Sequence, residues 1–149
     1  MSGDGHRLET WKKAGECREF PRPWSDYMWS LEFEHRPDDA KAFHTVAKAV
    51  CEQCPVRAEC LAYAASGGVE WGVYGGKVCT DRRRIARMAE ADGIPCRDRN
   101  LPWTKRWRLL TDWIRAHMSV FDDVTDEASA ERQQRRLRAR RTAPSPNPT

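Results

Sequence analysis

Four cysteines set the chemistry this chain could carry. Cys51 and Cys54 enclose two residues in Cys51-Glu52-Gln53-Cys54, Cys60 follows after five more, and Cys17 lies 34 positions before Cys51. Four thiolates suit either Zn²⁺ or an iron–sulfur cluster. Zinc ribbons usually pair two tight Cys-x-x-Cys knuckles, and this chain has one such pair. The spacing therefore favours a cluster over a zinc-stabilised nucleic-acid-binding module, with structural or redox thiols as the third reading. Cysteine is often simply a small buried residue, but three within ten residues make plain packing a weak explanation. A thiol–disulfide reductase could use Cys51 and Cys54. The usual βαβ context is absent from the pattern, however, and Pro55 follows the pair instead of lying within it. No Ser-His-Asp set, phosphate loop or carboxylate pair offers other catalysis, so the chain reads as a non-enzyme without a small-molecule substrate.

The cysteines must be positioned by helices. Asp38-Asp39-Ala40 reads as a helix start, and Ala40, Phe43, Val46 (or Ala47) and Val50 recur at helical spacing up to Cys51. Cys54-Pro55 reads as a second start, because proline suits the first helical position. Val56 to Ala65 is rich in helix formers and stops at Gly67-Gly68. Cys51 would then close one helix and Cys54 open the next, with Cys60 in reach and Cys17 arriving from a separate segment. Such a distant ligand links binding to folding. Glu70 to Gly76 reads as a turn. Further helices are expected over Asp81–Asp92, from Thr104 with Trp107, Leu110, Ile114 and Met118 on one face, and over Thr125–Arg141. No strand or internal repeat is evident. Before the first helix, residues 1–7 read as loose, Glu9–Cys17 as a helical turn or two, and Phe20–Pro23 as a loop. Residues 24–36, with Trp24, Tyr27, Trp29 and Phe33, read as irregular or weakly helical. The fold class is mainly α, a small helical domain organised around the four cysteines. The organisation is 8–93 for the cysteine domain, 94–142 for a basic helical C-terminal extension, and 143–149 for a disordered tail.

With 149 residues, the chain can build one domain and a modest core. No apolar run is long enough to span a membrane, and no secretory signal follows Met1–Arg7, so a cytoplasmic setting without membrane contact is expected. Residues 1–76 hold 9 Lys/Arg and 12 Asp/Glu, a net of −3, whereas residues 77–149 hold 17 and 10, a net of +7. A basic second half suits a polyanion, most plausibly nucleic acid.

On these residues the sequence resembles the WhiB-like family of actinobacteria and their phages. The pattern Cys17…Cys51-x-x-Cys54-x5-Cys60 matches the family's cysteines, and Cys54-Pro55-Val56-Arg57-Ala58-Glu59-Cys60-Leu61-Ala62-Tyr63-Ala64 resembles its most recognisable stretch. A glycine-rich turn, Gly72-Val73-Tyr74-Gly75-Gly76, and the basic Asp81-Arg82-Arg83-Arg84 follow in order, and Trp11 precedes Cys17. Tyr74 stands where the family usually carries Trp. The likeness covers roughly residues 9 to 90. It implies a 4Fe–4S cluster held by Cys17, Cys51, Cys54 and Cys60 in a small, mostly helical fold. It further implies binding to the C-terminal domain of the principal sigma factor of RNA polymerase, DNA contacts from the basic C-terminal part, and a cluster that can respond to oxygen and nitric oxide. The family's role is transcription regulation.

Other features carry two readings each. Gly72, Val73, Tyr74, Gly75 and Gly76 could present a partner-binding surface or form an ordinary turn. Arg82, Arg83 and Arg84 could touch DNA phosphates or form a solvated face. Arg132, Arg135, Arg136, Arg138, Arg140 and Arg141 favour nucleic-acid backbone contact over a solubilising helix. Trp24, Trp29 and Trp71 could pack on a partner, shield the cysteine site or fill core. Trp103 and Trp113 flank the fourth helix's stripe and leave room for a second interaction surface. Cys79 and Cys96 are read as small residues and not as ligands. His44, seven residues before Cys51, could face the site.

Overall fold

In the computed structural model, the structure describes residues 10–20, 29 and 37–144, apart from the side chains of residues 37–41, 43 and 44. Two 3₁₀ turns, Thr10–Ala14 and Glu16–Glu19, precede five α-helices: α1 (Pro37–Glu52), α2 (Arg57–Ser66), α3 (Cys79–Ala91), α4 (Trp103–Ala116) and α5 (Val120–Thr142). The mainly helical class follows the sequence, and the only bridge pairing among the described residues joins Tyr74 and Lys77. No helix among them is long and apolar enough to cross a membrane.

α1 buries Ala47 and leaves Val46 45 % exposed, so Ala47 is the position that turns inward. α2 starts at Arg57 and not at Pro55. Cys54-Pro55-Val56 forms the turn between α1 and α2, closed by Cys54 N–H to Cys51 O (3.1 Å) and Arg57 N–H to Cys54 O (3.2 Å). Proline lacks an N–H and fits this turn. The small side chains of α2 let its neighbours approach closely. Ala58, Leu61 and Ala62 join Ile85, Ala86 and Ala89 of α3, Leu110, Trp113 and Ile114 of α4, and Val120, Phe121 and Val124 of α5 in one core.

That core crosses the expected division at residue 93. Residues 94–142 are therefore no separate extension: α4 and the first turns of α5 complete the hydrophobic centre around α2 and α3. Trp107 Nε1–H donates to Glu59 O (3.1 Å), Arg106 donates to Ser66 O (2.7 Å), and Arg115 pairs with the buried Glu59 carboxylate. Trp113 is buried and donates to Asp92 (2.9 Å), while Trp103 packs edge-on against Tyr63 at 5.6 Å. Trp113 is thus taken up by the core, whereas Trp103 stays half-buried. Met118 lies beyond α4 and is 48 % exposed, so the expected stripe ends at Ile114. After Ala128, α5 leaves the core and every residue from 129 to 144 is exposed. The reading of 143–149 as a tail falls mostly outside the described residues, as do Trp24 and the side chain of His44.

Candidate cofactor site

The cysteine positions come from three directions. Cys17 sits on the second 3₁₀ turn, Cys51 in the last turn of α1, Cys54 in the following turn and Cys60 in the first turns of α2. The Cys17 segment is anchored by Trp11, whose ring packs against Tyr63 of α2 (5.7 Å between centroids) and Trp107 of α4 (6.5 Å). The Lys12 ammonium lies 4.4 Å from the Tyr63 ring centroid, a further tie of this segment to α2. A Cβ built at Gly15 would meet Cys17 Sγ at 3.6 Å and Val56 Cγ2 at 4.0 Å, so the Cys17 thiol faces the turn that carries Cys54.

Val69–Val78 covers the opposite side. Tyr74 and Lys77 exchange two backbone hydrogen bonds of 3.1 Å each. The two residues between them, Gly75 (φ +60°) and Gly76 (φ +76°), are left-handed, the pattern of a type I′ turn that glycine accepts without strain. Space also demands glycine here. A Cβ on Gly75 would lie 2.9 Å from Leu61 Cβ, and one on Gly76 would lie 3.2 Å from Cys51 Cβ. Backbone N–H groups of this turn favour the charged thiolate, Gly75 at Cys60 and Gly76 at Cys51, against the burial that raises both thiols. The Trp29 indole N–H also donates to Cys51 Sγ, at 3.4 Å, and Val73 N–H returns to Trp29 O at 2.8 Å. N–H donors at sulfur favour the charged thiolate over the thiol.

The electrostatics treat the four thiols as one group. Burial pushes the Cys60 thiol up to about 12, opposed by the Gly75 N–H and reinforced by Cys51, Cys17 and Cys54. Burial likewise raises Cys51, with Cys17 and Cys54 adding to it, and raises Cys17, with Cys54 next. Neighbouring thiolates therefore disfavour ionisation at Cys17, Cys51 and Cys60, and a cationic centre among them would reverse that preference and release protons. Among the described residues, no three His, Cys, Asp or Glu side chains converge closely enough to hold a single metal ion. The donor set fits a thiolate-bound centre.

The structure separates the expected arginine contacts. Arg82 is corrected: it is 1 % exposed and cannot reach DNA phosphates. Its guanidinium donates to the carbonyls of Gly72 (2.8 Å), Lys77 (2.7 Å), Val69 (2.8 Å) and Trp71 (3.3 Å), holding the glycine turn from beneath. Arg83 is exposed and lies 3.5 Å from Glu70, and Arg84 is paired to Glu131 at 2.6 Å. Arg132, Arg135, Arg136, Arg138, Arg140 and Arg141 are all exposed on the projecting half of α5. Cys79 and Cys96 are free thiols outside the group, and Cys96 is fully buried. Arg57 went unnoticed in the sequence: its Nε–H donates to Gly75 O at 3.0 Å. Its place beside Cys54 and Cys60 was the available signal.

The family model described as transcription factor WhiB matches residues 11–85. The chain is 46 % identical over 89 residues to transcriptional regulator WhiD of Streptomyces coelicolor, which covers 60 % of this chain and 76 % of that protein. It is 37 % identical over 68 residues to transcriptional regulator WhiB7 of Mycolicibacterium smegmatis, covering 46 % of this chain and 61 % of that protein. It is also 46 % identical over 41 residues to transcriptional regulator WhiB1 of Mycobacterium tuberculosis, covering 28 % and 49 %. The chain thus spans less than two thirds of the length of WhiB7 and WhiB1. No solved structure gives a significant match. The cysteine group, the bridged turn and Arg82 all lie inside the matched span, and the chain belongs to the WhiB family.

Proposed function

We propose that this chain is a transcriptional regulator in which Cys17, Cys51, Cys54 and Cys60 hold a 4Fe–4S cluster. The observation that carries the reading is the glycine turn packed directly onto Cys51, with the Trp29 indole N–H donating to Cys51 Sγ. Thiolate-bound clusters are tuned by such hydrogen bonds and by burial. When bound, the cluster would supply a redox- and nitric-oxide-responsive group and clip the Cys17 segment to α1 and α2. The protein's own residues do the rest. Trp11 anchors the Cys17 segment, Arg82 holds the turn, and the turn's amides neutralise sulfur charge.

The turn would also carry the partner surface. Trp71 beside it is 75 % exposed, and an exposed tryptophan on a rigid turn is a suitable interface anchor. The proposed partner is the C-terminal domain of the principal sigma factor. DNA would be met by α5, where six arginines face solvent with Glu131 as the only acid among residues 129–144. No catalytic step belongs to this reading, and the protein would act in the cytoplasm, beside RNA polymerase.

An anaerobic ultraviolet–visible spectrum, with iron, sulfide and zinc measured on the same sample, tests the cofactor. Broad absorbance near about 400 nm with matched iron and sulfide is expected of such a cluster, and a sigma-factor pull-down then tests the partner. A colourless protein holding stoichiometric zinc after anaerobic preparation overturns the cluster.

A further inference from the structure

Arg57, to which the sequence pattern assigns no role, lies beside the glycine turn that covers Cys51. Arg57 is half-buried at the start of α2. Its Nε–H bonds to Gly75 O at 3.0 Å. A Cβ built on Gly76 would lie 3.2 Å from Cys51 Cβ and 3.5 Å from an Arg57 terminal nitrogen, so the guanidinium and Cys51 flank one glycine. Burial lowers the Arg57 pKa, and the neighbouring Glu52, Cys51, Asp122 and Cys54 oppose that shift. The far face of the guanidinium is closed by Phe121, whose ring centroid lies 3.8 Å from Arg57 Cζ. Phe121 is 1 % exposed and belongs to α5, beyond the stretch that the family model matches.

We propose that Arg57 is the counter-charge of the cysteine-bound centre, and that Phe121 of α5 fixes it in place. The proposal rests on the cluster reading above. Four thiolates outweigh the positive charge of the iron–sulfide core they bind, and each electron added to the centre brings one more negative charge. A fixed cation nearby stabilises the reduced form more than the oxidised one. The flat guanidinium suits this place because it can hydrogen-bond the turn and stack on a ring at once. Phe121 would thereby let the C-terminal helices of this chain set the potential of a centre whose ligands all precede them.

The test is an anaerobic spectroscopic redox titration of the reconstituted full chain, with dithionite as the one-electron donor. Iron, sulfide and helicity are measured alongside. Arg57→Gln should lower the midpoint potential, on the order of tenfold in the reduction equilibrium, which is about 59 mV for one electron. Arg57→Lys keeps the charge and should recover at least half of the shift. Phe121→Leu keeps an apolar filler, frees the guanidinium and should lower the potential by less than Arg57→Gln. Equal shifts for Arg57→Gln and Arg57→Lys would show that the Gly75 hydrogen bond matters and the charge does not, overturning the proposal. An unchanged potential in a fully loaded Arg57→Gln protein also overturns it. If Arg57→Gln fails to load, Phe121→Leu decides: a lowered potential supports the proposal and an unchanged one overturns it. A wild-type chain that takes up no iron and sulfide sinks the cluster reading itself, and the counter-charge with it.

Discussion

Replacing Arg82 with Met should unfold the glycine turn from below without touching any exposed surface. Arg82 is 1 % exposed and donates four hydrogen bonds, to Gly72, Lys77, Val69 and Trp71. Hydrogen bonds from a charged group are worth about 1.5–3 kcal/mol each, and an orphaned buried acceptor costs about 1–3 kcal/mol. The bond to Trp71 is long at 3.3 Å, and the exposed Trp71 lets water reach part of this turn, so fewer than four acceptors bear the full penalty. A loss of about 3–5 kcal/mol follows. For a chain of this size about 1 kcal/mol moves the melting temperature by about 2–4 °C, which makes the expected drop about 6–20 °C. The assay is thermal unfolding of the cofactor-free chain followed by circular dichroism, with Arg83→Gln as the comparison. Arg83 makes one exposed ion pair, at 3.5 Å with Glu70, worth about 0–1 kcal/mol. If Arg82→Met melts within about 3 °C of wild type while its DNA affinity falls, Arg82 is a nucleic-acid contact after all and the burial argument is wrong.

Gly75→Ala should lower both stability and iron content, because the new methyl meets Leu61 Cβ at 2.9 Å with φ at +60°; metal analysis and melting of the same sample check it. The triple change of Arg132, Arg136 and Arg140 to Gln should weaken duplex DNA binding and flatten its dependence on log salt by up to about 0.9 per lost phosphate contact, read by fluorescence anisotropy across a salt series. Burial raises the Cys96 thiol from 9.0 to about 11, so its contribution is present below about pH 9 and lost as pH rises through 11. Denaturant titrations of the cofactor-free chain should therefore show stability falling over that window, and Cys96→Ala should reduce the fall. Truncation after Gly93 strips α4 and α5 from Leu61 and Ile85, each about 1.5–3 kcal/mol when buried. The shortened chain should aggregate or melt without cooperativity, and a sharp melt close to that of the full chain counts against a shared core.

The helix break that carries Cys51, Cys54 and Cys60 was legible because it is set by local sequence. Cys51, Cys54 and Cys60 lie within ten residues, and the helix break between them follows from Pro55 and the surrounding helix formers. The turn was legible as glycines but its role was not. That Gly75 packs onto Leu61 and Gly76 onto Cys51 depends on where α1 and α2 lie, contacts between residues 14 and 25 positions apart. Arg82 was misread because three consecutive arginines look like a solvated face. The corrective signal was present: Arg82, Ile85, Ala86 and Ala89 recur at i, i+3, i+4 and i+7, one helical face, and all four are buried.

Average charge misled the division of the chain in a related way. The second half carries a net of +7, and that excess suggested an appendage for a polyanion. Charge summed over a segment says nothing about faces. Leu110, Thr111, Trp113 and Ile114 turn inward on α4 while Lys105, Arg108 and Arg115 stay outside. α5 then splits along its length: Val120, Phe121, Val124 and Ala128 are buried, and the arginines begin only after them. The same helix therefore closes the core at one end and offers cations at the other. Its docked end also touches the turn, through Phe121 on Arg57 and through Lys77 Nζ donating to Thr125. A helix rooted this way couples its arginine-bearing end to the segment that carries the cysteines, so substitutions at Phe121 should register at both ends.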